Sequence, residues 1–144
     1  ECKRSNRGFL QRMKTNKPYV INKLAMSLDG RTAMESGESQ WITGPEARAQ
    51  VHLLRAQSCA VITGIGSVLR DNPSMNVRAD ELTLAGVAEA TIELIKLPLR
   101  VVLDSQLRFP TSANILQQRG SVLVMTFVAD LQRHRSLMHL GLDH

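Results

Sequence analysis

The spacing of apolar residues changes several times along this chain of 144 residues, and each change marks an element. Phe9, Leu10 and Met13 recur at helical spacing among charges, which predicts a short amphipathic helix within residues 1–16. Pro18 stops it, and YVINKLAMS then reads as a strand. Tyr19, Ile21, Lys23 and Ala25 alternate with Val20, Asn22 and Leu24, so Lys23 stands on a strand otherwise apolar on both sides. SLDGRTA is a tight turn, with Asp29-Gly30 supplying backbone freedom, and SGES is a second bend.

Thr43-Gly44-Pro45-Glu46 fits a capping box with proline near the first helical turn. The helix it opens is predicted to reach about Ala56, with an apolar stripe of Ala47, Val51 and Leu54 and with Arg55 at its edge. CAVITGIG is a short buried strand, and GSVLRDNP is one helical turn stopped by Asn72-Pro73. Residues 79–98 read as helical through LAGVAEATIELI. LRVVLDS and GSVLVMTF are two more apolar strands, and a last helix would place Leu131, Leu137 and Leu140 on one side. Strand, helix, strand in this order is a parallel-sheet unit, so the fold class is α/β: a mostly parallel sheet with helices on both faces.

Composition narrows the function. The hydrophobic share is 43%, enough for a core, and only Phe9, Tyr19, Trp41, Phe109 and Phe127 are aromatic, so that core is aliphatic. The net charge of +5 sits in the first seventeen residues, where Lys3, Arg4, Arg7, Arg12, Lys14 and Lys17 face Glu1 alone. The remaining body is neutral, and the basic leader has no aromatic platform, so a nucleic-acid partner is not expected. Cys2 and Cys59 form no disulfide framework and no zinc spacing. No apolar run has the length of a membrane span. A reducing cytoplasm fits best.

In open α/β sheets ligands bind beyond the C-terminal ends of the strands. The residues at those ends include Lys23, Ser39, Thr43, Ser67, Asp71, Arg78 and Ser105, a set suited to a phosphorylated ligand together with a nucleotide. Each has a plainer reading. GIGS lacks the full dinucleotide fingerprint, Asp71 stands in a common helix-stop context, and Trp41 is either core or pocket wall. Lys23 is the sharpest signal, since a lysine inside a buried strand needs a partner or a task. Ser39 lacks the His/Asp pair of a nucleophilic serine. His52, His134, His139 and His144 are read as solvated.

SLDGRTAMESGESQWITGPEARAQVHLLRAQS, GIGSVLRDNPSMNVR and RVVLDSQLR, in that order, closely resemble the reductase domain of the bacterial bifunctional riboflavin-biosynthesis deaminase/reductase. The resemblance covers most of residues 1–108 and weakens after about residue 109. It makes residues 1–17 the tail of a preceding deaminase domain plus a linker, and 18–144 the N-terminal part of a reductase domain with a dihydrofolate-reductase-like fold.

The implied reaction is NADPH-dependent reduction of 5-amino-6-(5-phosphoribosylamino)uracil, a phosphorylated pyrimidine, to its ribitylamino product. By position, the resemblance implies cofactor contacts at Ala25, Trp41, Ser67, Asp71 and Ser105. It implies substrate contacts at Ser39, Arg55, Met75 and Arg78, with the two arginines as a phosphate clamp. Lys23 and Asp71 fall near the reacting centre. The deaminase zinc motif is not among these residues, so no zinc and no deamination are implied. The family's later glycine-rich E-G/A-G-P segment is also missing, which makes the expected fragment inactive alone. A dihydrofolate or pteridine reductase relative and a non-catalytic remnant are the alternatives. A sheet cut short would leave an edge or an apolar face uncovered, so a homo-oligomer is expected.

Overall fold

The computed structural model describes residues 2–39, 42–129 and 132, in two compact units, residues 1–43 and 44–144. In the first unit, α1 (Cys2–Ser5) and α2 (Arg7–Thr15) form where the apolar spacing placed a helix. Asn16 ends α2 in the left-handed conformation that asparagine tolerates, with φ 55°. Arg7 stacks over the Tyr19 ring at 5.1 Å.

The strand expected from Tyr19 to Ser27 does not form. Residues 18–27 are irregular, and Tyr19, Val20, Ile21, Leu24 and Met26 are exposed. A strand exists only through a partner's hydrogen bonds, and among the described residues this unit holds no second strand. Both predicted turns are present. Ser27 N–H donates to the Arg31 carbonyl at 2.9 Å and Gly30 N–H to the Ser27 carbonyl at 2.9 Å, with Gly30 at φ 81°. Met34 N–H donates to the Glu38 carbonyl at 2.8 Å across the second turn.

The second unit carries the sheet. Its elements are α3 (Pro45–Ala56), β1 (Ala60–Gly64), α4 (Ile65–Asp71), α5 (Ala79–Leu84), α6 (Glu89–Ile92), β2 (Leu99–Leu103) and β3 (Val122–Met125), with a 3-10 turn at Asn114–Gln117. The strands lie in the order β1-β2-β3, all parallel. Helix α3 has the predicted bounds but not the predicted cap: its N-cap is Gly44, without a side-chain cap bond. The single helix expected over 79–98 is two short ones, because the chain turns at Gly86, φ 83°. Helix α4 stops where Asn72 turns left-handed, φ 42°, ahead of Pro73. The predicted last helix, with Leu131, Leu137 and Leu140, lies outside the described residues.

Register divides the sheet into two unlike faces. Thr63, Val102 and Val124 align on one, as do Val61, Arg100 and Val122. Here the core closes: Val102 and Val122 pack with Ile65 and Val68 of α4 and with Leu107, Phe109, Ala113 and Ile115 from the β2–β3 connection. On the other face, Ile62 aligns with Val101 and Leu123, and Leu103 with Met125. Among these, Ile62, Leu103, Leu123 and Met125 are exposed and only central Val101 is buried.

Two charges are buried with the core. Arg100, 2% exposed, donates through its guanidinium to the carbonyls of Ile115 (2.7 Å), Gln118 (3.1 Å) and Gly120. Asp104 closes β2, and its Oδ2 accepts the Phe109 backbone N–H at 2.7 Å. Burial predicts unequal costs for truncation. Phe109→Ala, at a side chain 1% exposed, is expected to lose about 3–5 kcal/mol in urea denaturation, whereas Ile62→Ala loses under about 1 kcal/mol. Equal losses would contradict this division of the faces.

Candidate active site

The polar residues of the second unit gather at two places. The first is the C-terminal end of the sheet. Gly64 of β1 aligns with Leu103 of β2, so α4 and the segment Asp104–Ser105 leave the same end. Ser67 and Asp71 lie one turn apart on α4, both exposed, and Ser105 is exposed beside buried Asp104. Ser67, Asp71 and Ser105 make no side-chain hydrogen bond among the described residues, while Asp104 Oδ1 is buried without a partner. Hydroxyls and a carboxylate left unused at the end of a parallel sheet have the chemistry to hold ribose or phosphate groups of a nucleotide.

The second place is the junction of α3, α5 and the loop that joins α4 to α5. Helix α3 packs on α5, and the buried residues of the pair are Ala49, His52 and Leu82. That packing selects a different face of α3 from the expected stripe. Ala47 is exposed, Val51 and Leu54 are half-buried, and His52, expected in solvent, is 6% exposed. Arg55, one turn beyond His52, is half-buried as its position at the stripe's edge implied. Its Nη1 donates to the Asn76 carbonyl at 3.0 Å. His52 Nδ1 accepts the Arg78 backbone N–H at 3.2 Å, which puts the ring proton of neutral imidazole on Nε2.

The charge balance here is unusual. Arg55 forms no ion pair among the described residues, and burial, followed by the nearby Arg78 charge, lowers its pKa from the ordinary guanidinium value. Arg78 meets Glu81 only at 3.8 Å, and its side chain is 51% exposed. Two guanidiniums that repel each other, one short of water and without a carboxylate, make a place that favours an anion. The loop between them is tightly set. Met75 takes φ 52° and packs against the core cluster, Asn76 Nδ2 donates to Gln118 Oε1 at 2.9 Å, and Asn72 accepts two hydrogen bonds from Asn114.

The structure therefore brings together Arg55, Met75 and Arg78 around one loop, and sets Ser67, Asp71 and Ser105 at one end of one sheet. Ala25 and Ser39 belong to the first unit and are half-buried there. Lys23, expected inside a strand, is exposed on the irregular segment, so the burial that marked it out is absent. Trp41 lies outside the described residues, as do His134, His139 and His144. Sequence reasoning missed three residues: His52, Arg100 and Asp104. A usable signal existed for Arg100 and Asp104, as charges within or closing an apolar strand. No group of three or more His, Cys, Asp or Glu among the described residues is placed to hold a metal ion. Among them, too, no helix is long and apolar enough to cross a membrane, and Cys2 and Cys59 are exposed free thiols.

Burial and the Arg55 charge, in that order, lower the His52 pKa from the ordinary 6.5. Between the two values the unfolded chain binds a proton that the folded chain resists, so His52 contributes stability above pH 6.5 that is lost on acidification. Denaturation midpoints from pH 7.5 downward are expected to fall more steeply for the parent chain than for His52→Asn, by no more than about 1.4 kcal/mol per pH unit. Parallel profiles would show that the proton is bound equally in both states.

Against known proteins, a model of the RibD C-terminal domain family matches residues 18–140. The riboflavin biosynthesis protein RibD of Escherichia coli (strain K12) is 50% identical over 120 residues, covering 83% of this chain and 33% of that protein. Among solved structures, form 1 of Acinetobacter baumannii RibD superposes with a TM-score of 0.77 at 44% identity, covering 94% of this chain and 36% of that one. A diaminohydroxyphosphoribosylaminopyrimidine deaminase/5-amino-6-(5-phosphoribosylamino)uracil reductase from Thermotoga maritima superposes with 0.73 at 29% identity, covering 89% and 33%. The chain thus spans about a third of the length of the relatives it matches.

Proposed function

The chain belongs to the RibD C-terminal domain family and has its dihydrofolate-reductase-like fold, and from that premise we propose that it is part of a reductase acting on a phosphorylated pyrimidine in riboflavin biosynthesis. The substrate in this reading is 5-amino-6-(5-phosphoribosylamino)uracil, the reductant is NADPH, and the setting is the cytoplasm. Residues 18–144 form the N-terminal part of the reductase domain, and 1–17 the tail and linker from a deaminase domain. Alone, the 144 residues are expected not to turn over, and to self-associate through apolar surface left uncovered.

One observation carries the reading: a half-buried, carboxylate-free Arg55 held beside Arg78 by a tightly set loop. Such a pair recognises a doubly charged phosphate better than any neutral group, because the anion removes both the mutual repulsion and the cost of burial. Met75, half-buried on the same loop, is in this reading the apolar contact of the flat pyrimidine. By resemblance to the family, Ser39 is a further substrate-binding residue.

The residues at the sheet end fit a nicotinamide nucleotide by their chemistry, since Ser67, Asp71 and Ser105 are exposed and unused by the fold. In this reading they hold its ribose and phosphate groups, with Ala25 and Trp41 contributing contacts. When bound, NADPH would supply the hydride that reduces the sugar carbon bonded to the amino nitrogen, the C–N bond staying intact while the ring C–O bond of that carbon opens. Asp71 accepts hydrogen bonds from ribose hydroxyls and steadies the sugar as its ring opens. Lys23 orients substrate or cofactor through its ammonium, a task its exposed position leaves it free to perform. The protein's own work is alignment and charge stabilisation.

In a catalytically active protein carrying these residues, Arg55→Ala is expected to raise KM about 10- to 100-fold with a smaller change in kcat. Asp71→Ala and Lys23→Ala should each lower turnover about tenfold or more while shifting stability by under about 0.5 kcal/mol, as both side chains are exposed. Steady-state kinetics beside thermal melts decides, and unchanged turnover in Asp71→Ala and Lys23→Ala would remove both from the catalytic set. Fluorescence titration of the 144-residue chain with NADPH tests the cofactor side. Saturable binding supports a partial site in this chain, and none favours a remnant.

A further inference from the structure

Helix α3 grips the α4–α5 loop twice. Arg55 takes the Asn76 carbonyl at 3.0 Å, and one turn earlier His52 takes the Arg78 N–H at 3.2 Å. Arg78 is the N-cap of α5, so its own N–H lies outside the helical ladder and has no other partner among the described residues. We propose that His52 is a positioning residue for the anion clamp: by accepting that N–H it fixes where Arg78 leaves the loop, and so sets the spacing of the Arg55 and Arg78 guanidiniums. This rests on the reading of the two arginines as a phosphate clamp and adds the group that holds them in register.

The geometry suits the role. The imidazole is buried where α3 packs on α5, and its Nδ1 accepts a part-buried backbone donor. The charged groups facing it are Arg55 on its own helix and Arg78, Asp80 and Glu81 at the start of α5. Burial first, and then the two cations, favour the neutral ring, and a neutral ring is the form that can accept. The loop contains one residue, Met75, in a left-handed conformation that its side chain disfavours, φ 52°, so its path depends on the contacts that hold it. Releasing one of the two α3 anchors would let Arg78 drift relative to Arg55, and paired recognition of phosphate is sensitive to that spacing.

The test compares inorganic phosphate binding, by calorimetry, for the full 144-residue chain and five variants, with melting temperatures taken alongside. His52→Asn puts an amide oxygen near the Nδ1 position. His52→Phe keeps the ring without the acceptor, and His52→Gln is polar but reaches past it. Expected is binding within about twofold of the parent for His52→Asn, and weakening of about tenfold, the equivalent of one lost hydrogen bond, for His52→Phe and His52→Gln. Arg55→Ala and Arg78→Ala should weaken it at least as much. Should His52→Phe not fold, His52→Gln against His52→Asn carries the comparison. If the arginine variants lose phosphate while His52→Phe and His52→Gln keep it, or if His52→Asn is as weak as they are, the positioning role is overturned and the clamp stands. If the parent chain does not bind phosphate, or the arginine variants bind it unchanged, the clamp itself is overturned.

Discussion

The second unit depends on a buried positive charge. Arg100 lies on the packed face of β2, in register with Val61 and Val122, where a guanidinium would ordinarily be too costly. It survives because carbonyl dipoles replace water: those of Ile115, Gln118 and Gly120 from the approach to β3, and that of Ser74, at 3.5 Å, from the loop after α4. Gly120 takes φ 96°, a conformation open to glycine, in the turn that presents its carbonyl. One side chain thereby ties the sheet's central strand to two connections that are distant in sequence. One of them continues directly into Met75 and Asn76, so the loop that receives Arg55 from α3 and ends at Arg78 is secured near its start by Arg100.

Around that anchor the site is built by helix packing. Neither α5 nor α6 is long enough to be stable alone. Contact with α3 supplies the missing support for α5, and the same contact delivers His52 and Arg55 to the loop ahead of it. Fold and candidate site thus share their hydrogen bonds.

Much of the sheet was legible beforehand because parallel strands are apolar runs bounded by polar loops. CAVITGIG, LRVVLDS and GSVLVMTF each contain a strand, and α3 and α4 end where predicted. What failed was whatever depends on a partner. YVINKLAMS has a strand's composition, but pairing comes from a neighbour that local sequence does not specify. A charge within an apolar strand needs a partner or a task, and that holds for Arg100, which is buried in β2, but not for Lys23, which is exposed. His52 was misread for a related reason. Periodicity finds an apolar stripe, whereas the buried side of α3 is chosen by α5, and Ala49 and His52 lie on it. Arg55 was legible because an arginine beside an apolar stripe is conspicuous whichever side is buried.

The central place of β2 has a consequence for how its backbone meets solvent. Its amides bond outward to both neighbours, Leu99 N–H to the Cys59 carbonyl at 3.0 Å and Arg100 N–H to that of Ser121 at 3.1 Å, with Asp104 N–H closing onto Met125 at 2.9 Å. Each amide of this strand therefore exchanges when the one ladder that holds it opens, and deuterium reaches all of them only when both ladders have opened. Residues 18–26, with no ladder, are expected to exchange far faster. The slowest amides are then expected on the strand that carries the buried arginine.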